Sequence, residues 1–102
     1  FDWTSVTVWK EMSRWAVTGQ FEYDDDWRKA DVPLLVMLGD FDHLVPPGDG
    51  RAAFDRSGST DRTLLLLDDF HHEVHWGHLD LILGTKAREH VWEALAAWMV
   101  ER

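Results

Sequence analysis

The sequence contains no cysteine, which excludes disulfide bonds, thiolate metal sites and a cysteine nucleophile. Basic residues are scarce, because 10 Lys and Arg stand against 19 Asp and Glu, for a net charge of −9. Nucleic acids and anionic membrane surfaces bind basic faces, so we expect neither as a partner. No apolar run approaches the roughly 18 residues of a membrane span, and no signal-peptide pattern opens the chain. With 45% apolar and 28% charged residues, the composition is that of a globular domain.

Aromatic residues are abundant, since the chain of 102 residues has 7 Trp, and that much ring surface has to be covered. The length fits one small domain spanning 1–102. Because the chain begins with Phe1 and not with Met, we expect it to be a processed or excised part of a longer protein.

The hydrophobic pattern predicts helix, strand, short helix, strand, loop and helix, in that order. The predicted elements are a helix from Trp3 to about Val17, strands at Pro33–Leu38 and Arg62–Asp69, a short helix from Pro47 to Arg56, and a helix from Ala87 onward. Between the first helix and the first strand we expect a polar connection. Both strands are continuous apolar runs, which is typical of parallel strands buried on both faces. Two such strands make a poor independent fold, so we expect them to be part of a larger sheet.

Two acidic residues, Asp40 and Asp42, follow the first predicted strand. In open α/β sheets, ligands and catalytic groups lie beyond the C-terminal ends of the strands. A carboxylate there can accept the Nδ1–H of a histidine, which fixes the ring tautomer and stabilises the imidazolium. The alternative is that both are turn residues that bond their own backbone.

Four histidines follow the second predicted strand: His71, His72, His75 and His78. Their spacings could serve a metal ion on a helix, but His72 and His75 are one residue too close for the zinc-protease motif. We therefore predict no metal and no cofactor, and interpret His71 and His72 as exposed loop residues.

His78 follows the second strand as Asp42 follows the first. If the strands are parallel neighbours, both loops emerge at the same edge, within hydrogen-bonding reach of each other. Such a pair is the base and the orienting acid of a nucleophilic triad. The alternative is that His78 caps a following short helix.

The segments "VPLLVMLGDFDHLVPP", "RTLLLLDD" and "GHLDLILGTKAREHVWEALAAWM" resemble the C-terminal part of an α/β-hydrolase, in particular its bacterial esterase/lipase-like branch. The similarity runs from about Val32 to Met99. It implies a partial α/β-hydrolase fold of the α/β class, in which a helix is followed by a βαβ unit with parallel strands and a C-terminal helix. Residues 1–31 are then a helix and connection from the cap region, and residues 32–102 are the last two core strands with their helices. The sequence does not determine the localisation, and our expectation is a cytoplasmic bacterial protein.

On this resemblance Asp42 matches the acid of the triad and His78 its general base, with Asp40 as the fallback acid. Asp80 matches the signature as a structural residue that helps to fix the turn holding His78. The order of Asp42 before His78 agrees with the chain order of the family.

The sequence departs from the family pattern at the nucleophile. It has no G-x-S-x-G, and none of its serines has the strand–turn–helix context of a nucleophile elbow: Ser5, Ser13, Ser57 and Ser59. The oxyanion-hole loop is absent as well. We therefore expect the C-terminal portion of a serine-type hydrolase of carboxylic esters that is inactive alone, with an ester as the substrate of the complete enzyme.

A non-catalytic domain is the alternative. Exposed apolar area and open strand edges favour self-association or partner binding, either as a homo-oligomer or with the N-terminal half.

Overall fold

The structure is a computed structural model and describes residues 5–102. The predicted order of helix, strand, helix, strand and helix is confirmed, with additional short helices between these elements. The elements are α1 (Val6–Thr18), α2 (Asp24–Lys29), β1 (Leu34–Gly39), α3 (Pro47–Arg56), β2 (Arg62–Leu67), α4 (Asp69–His72), α5 (Asp80–Leu83), a π-helical turn (Arg88–Trp92) and α6 (Glu93–Val100).

The strands β1 and β2 are parallel neighbours, as predicted. Leu34 lies opposite Arg62, and Gly39 lies opposite Leu67, so the two strands end level with each other. The chain crosses from one to the other through α3. Because the strands are parallel and end in register, the loops after β1 and β2 leave the sheet at one edge.

Each face of this sheet packs against different elements. On one face Leu38 lies against α3, where Gly50 leaves room for the leucine side chain. On the other face Leu67 packs with Trp76, and the same buried cluster includes Ala87 and Val91 at the start of the C-terminal helical segment.

Burial of the strands on both faces was predicted, and the described residues give only partial burial. The side chains from Leu34 to Met37 are half-buried, and Leu66 is 42% exposed. The physical reason is that residues 5–102 supply only two strands and little cover for them.

Helix α1 is well delimited but packs on little of the molecule. The Ser5 side chain accepts the Val8 N–H at its start, and Gly19 ends it with φ +69°, a conformation that suits glycine. The predicted start at Trp3 lies outside the described residues. Most of its apolar stripe stays exposed, although Trp15 packs edge-on against Phe21 with ring centroids 5.0 Å apart.

The predicted polar connection contains a short helix, α2. This helix has no apolar periodicity, but acidic residues fill its first turn and basic residues its last, as the helix dipole favours. The Trp27 Nε1–H donates to the Ala53 carbonyl (2.8 Å) and so fastens α2 to α3.

Within residues 5–102, no helix has the length and apolar character to cross a bilayer.

Candidate catalytic site

Asp42 lies in the turn after β1 and is 5% exposed. One carboxylate oxygen, Oδ1, accepts the N–H groups of Leu44 (2.9 Å) and Val45 (2.8 Å). Burial raises the pKa of this carboxyl, but the Val45 N–H, His78 and the Leu44 N–H together outweigh burial and lower the pKa below its usual value. Asp42 is therefore an anion at neutral pH.

The second oxygen of Asp42, Oδ2, lies 2.9 Å from Nδ1 of His78. The structure thus brings these two predicted site residues together. Asp42 is also a turn residue, as the alternative proposed, because its Oδ1 accepts hydrogen bonds from the backbone of its own turn. Because the Asp42 carboxylate can only accept a hydrogen bond, Nδ1 of His78 carries the hydrogen. In this tautomer Nε2 carries a lone pair. The His78 side chain is 43% exposed, and among residues 5–102 its Nε2 has no hydrogen-bond partner. The site can therefore hold a proton acceptor, Nε2 of His78, at the surface beside the buried carboxylate of Asp42.

The backbone of Trp76 fixes the loop that carries His78. The Trp76 ring is fully buried, and its carbonyl accepts the Phe41 N–H (2.9 Å). The Trp76 N–H donates to Oδ1 of Asp40 (2.7 Å). This close approach of the two loops depends on Gly39, since a Cβ there would overlap the Trp76 carbonyl. The two loops are therefore joined by two hydrogen bonds, one donated by each loop to the other.

Asp80 holds the next turn. Its Oδ2 accepts the Gly77 N–H (2.8 Å), one residue before His78. This is the contact expected of a residue that fixes the turn around His78.

A second Asp–His pair lies at the same sheet edge. Oδ2 of Asp40 is 2.5 Å from Nδ1 of His75, and Nε2 of His75 is 3.5 Å from a carboxylate oxygen of Asp69. The hydrogen bond to Asp40 raises the pKa of His75, burial lowers it, and the charges of Asp69, Asp40 and Asp68 raise it, for a net increase. The neighbouring carboxylates therefore stabilise the protonated form of His75.

The sequence analysis did not predict this second pair, although its spacing along the chain is close to that of the first. Asp40 and Asp42 are two residues apart, and His75 and His78 are three apart, so each acid has a histidine 35 or 36 residues later. Asp40, the fallback acid, instead contacts His75 and the Trp76 backbone.

The prediction that His71 and His72 are exposed loop residues is wrong, because both lie in α4 and the His72 side chain is only 17% exposed. Both have local partners. Nδ1 of His71 lies 3.0 Å from Asp68, and Nδ1 of His72 accepts the Asp68 N–H (3.2 Å). Among residues 5–102, no three of the four histidines predicted as metal-ligand candidates converge.

Two mixed clusters bring three potential metal ligands together: Asp40, Asp69 and His75, and Glu73, Glu89 and His90. In each cluster the histidine is already paired with a carboxylate, and Lys86 approaches Glu73 to 3.7 Å in the second. In the second cluster, the neighbouring Lys86 ammonium group opposes the binding of a metal cation.

Three of the four serines make local hydrogen bonds. Ser5 caps α1, and buried Ser59 donates to the carbonyl of Val32 (2.6 Å). Ser57 accepts the Ser59 N–H, and Ser13 lies within α1. Among residues 5–102, no serine stands on a strand-to-helix elbow.

Parallel strands, a crossover helix and an Asp–His pair on the two loops beyond them define the class as the α/β-hydrolase fold. The family model described as serine aminopeptidase, S33, matches residues 7–78, and the chain belongs to this family. The match includes both Asp42 and His78. The predicted partial α/β-hydrolase fold is confirmed.

Two curated relatives are poly(3-hydroxyalkanoate) polymerase subunits PhaC. The subunit of Haloferax mediterranei is 27% identical over 77 residues, which cover 76% of this chain and 14% of the relative. The subunit of Haloarcula marismortui is 29% identical over 77 residues, covering 76% of this chain and 15% of the relative. The chain spans about one seventh of the length of these relatives. No solved structure matches the chain.

Proposed function

We propose that this chain supplies the acid, Asp42, and the general base, His78, of a serine-type hydrolase of carboxylic esters from the esterase/lipase branch. One observation supports the proposal above all. A buried carboxylate lies 2.9 Å from Nδ1 of an imidazole whose other nitrogen is unpartnered among residues 5–102. That is the arrangement of base and orienting acid in nucleophilic triads.

In the proposed reaction, a serine from outside these residues attacks the acyl carbon of the ester. Nε2 of His78 takes the hydroxyl proton, and Asp42 stabilises the resulting imidazolium. The imidazolium then returns the proton to the departing alkoxide as the bond between the acyl carbon and the alcohol oxygen breaks. Water, activated by the same nitrogen, hydrolyses the acyl-serine and regenerates the serine.

His78 suits the role of base better than His75 does. Nε2 of His75 faces Asp69, and its raised pKa favours the form that has no lone pair to accept a proton. Nε2 of His78 faces no carboxylate among residues 5–102.

We expect the chain to be inactive by itself. Loss of a triad member costs about 10⁴- to 10⁶-fold in kcat, and here both nucleophile and oxyanion donors are missing.

The direct test uses the complete protein encoded by the gene and a chromogenic short-chain ester. His78→Ala is expected to reduce kcat by about 10⁴-fold or more. The matched control, His43→Ala, removes another histidine from the loop after β1 and should leave kcat within about twofold. Equal activity of wild type and His78→Ala would contradict the proposal.

A second candidate is ester synthesis, favoured by the similarity to the two polymerase subunits. The same base would then activate a hydroxyl group of a growing polyester chain, where the hydrolase activates water. Incubation with a 3-hydroxyacyl thioester distinguishes the two, because mass spectrometry shows free hydroxy acid for hydrolysis and oligomeric ester for polymerisation.

Self-association is a further candidate, supported by the exposed apolar face of α1. Val6 is 69% exposed, Trp9 53% and Met12 48%. Size-exclusion chromatography of the 102-residue chain should show a dimer or larger species, and a stable monomer would contradict this candidate.

A further inference from the structure

We propose that Asp40 is a positioning residue, whose carboxylate holds the Trp76 backbone and thereby presents His78 to Asp42. The inference rests on the proposed function of His78, and it assigns to Asp40 a role different from that of the triad acid.

Asp40 is a rigid point from which to hold the loop. Its N–H donates to the Leu67 carbonyl (3.0 Å), so its backbone continues the hydrogen bonding between β1 and β2. Its side chain is only 17% exposed. A carboxylate that extends from the end of a sheet in this way has little freedom to move.

The group that Asp40 holds is close to the base in the chain. Trp76 and His78 are separated only by Gly77, the residue type with the greatest backbone freedom. Trp76 is held at two points. Its ring is fully buried, and the 2.7 Å hydrogen bond from its N–H to Asp40 orients its peptide plane. Without that acceptor, the N–H is left unpaired and the path to His78 is less defined.

His75 has an auxiliary part in this contact. Its Nδ1 binds the other oxygen of Asp40, and its ring stacks on Phe41 with centroids 4.1 Å apart. Burial raises the pKa of Asp40, whereas the hydrogen bonds from Trp76 and His75 lower it, with a net decrease. The acceptor for the Trp76 N–H therefore stays ionised.

The test measures two properties of the complete protein in parallel. Hydrogen–deuterium exchange of the peptide spanning residues 74–78 reports the tie, which is the hydrogen bond from the Trp76 N–H to Asp40. The rate of ester hydrolysis reports how this hydrogen bond affects His78. Asp40→Ala should accelerate exchange in this peptide and lower kcat by about 10²-fold while KM changes little, the cost of slight misplacement of a catalytic group. Asp40→Asn, which keeps an oxygen acceptor for the Trp76 N–H, should restore most of both properties. Asp25→Ala, on exposed α2, is the matched control and should change neither.

Unchanged exchange and kcat in Asp40→Ala would overturn the proposal, and so would an Asp40→Asn variant as impaired as Asp40→Ala. A urea midpoint and circular dichroism spectrum of each variant show whether it folds. If Asp40→Ala does not fold, the proposal is judged on Asp40→Asn. If the wild-type protein hydrolyses no ester, the proposed function fails. Faster exchange in Asp40→Ala would then still establish the tie, whereas unchanged exchange would overturn it.

Discussion

Two Asp–His pairs connect the same two loops, and their surroundings differ. In both, a carboxylate after β1 contacts Nδ1 of a histidine after β2, at 2.9 Å for Asp42–His78 and 2.5 Å for Asp40–His75. The histidine side chains are similarly exposed, at 43% and 48%. They differ at the far nitrogen, which faces Asp69 in His75 and is unpartnered in His78 among residues 5–102.

This difference is the reason why we propose His78, and not His75, as the base, although each histidine contacts a carboxylate through Nδ1. Both ring nitrogens of His75 face carboxylates, so its Nε2 is directed at Asp69 and not at an incoming nucleophile, whereas Nε2 of His78 faces no carboxylate among residues 5–102. We therefore infer proton transfer for one pair and a structural tie for the other.

The largest expected contrast comes from changing the two acids alike. In the complete protein, Asp42→Asn should reduce kcat for ester hydrolysis by about 10⁴-fold, because an amide no longer enforces the tautomer of His78. Asp40→Asn should reduce it by no more than about tenfold, because the amide oxygen still accepts the Trp76 N–H. Steady-state kinetics measure both, and a larger loss in Asp40→Asn would reverse the assignment of the two acids.

Gly39→Ala should weaken both pairs together. Its Cβ would overlap the Trp76 carbonyl, so the loops must separate, at a cost of about 1–3 kcal/mol in the free energy of unfolding. Urea denaturation measures that cost. The control is Gly48→Ala in α3, where an added Cβ meets nothing within 4 Å, and its stability should not fall. Similar midpoints for both variants would contradict the close approach of the loops.

The pH dependence of stability should report the ion pair between Asp40 and His75. Because folding raises the pKa of His75 above 6.5, its contribution is fully present below that value and is lost as the pH rises through the folded-state pKa. The wild-type unfolding free energy should therefore decline above pH 6.5, and His75→Ala should flatten this decline. A wild-type slope in His75→Ala would argue against the ion pair between Asp40 and His75.

The smallest effect is expected from Asp69→Asn. The 3.5 Å contact with Nε2 of His75 is solvent-exposed, so removing the charge should lower the pKa of His75 only slightly and leave His78 unaffected. Histidine proton shifts in an NMR titration measure both changes. A large change at His78 would show that the two pairs are coupled.

The sequence contained enough information to predict the sheet and the Asp42–His78 contact. Continuous apolar runs indicated parallel strands, and parallel strands in register bring the residues after them to one edge. That argument needs only the order of elements along the chain.

The features that were not predicted depend on the path of individual loops. The Asp40–Trp76 hydrogen bond joins a side chain to a backbone group 36 residues away, and no local pattern specifies such a contact. Helix α2 lacks an apolar stripe, and a polar sequence of this kind is also typical of a loop. The π-helical turn before α6 inserts a residue into otherwise regular helical spacing, which periodicity does not register.

The most direct test of the central claim compares the two histidines in one reaction. Diethyl pyrocarbonate acylates neutral, accessible imidazole nitrogens, and mass spectrometry of peptides from the 102-residue chain measures the rate at each site. We predict rapid modification of His78, whose Nε2 has no partner among residues 5–102, and slower modification of His75, whose two ring nitrogens both face carboxylates, although their exposures are nearly equal. Modification of His75 as fast as or faster than that of His78 would contradict the assignment of His78 as the base.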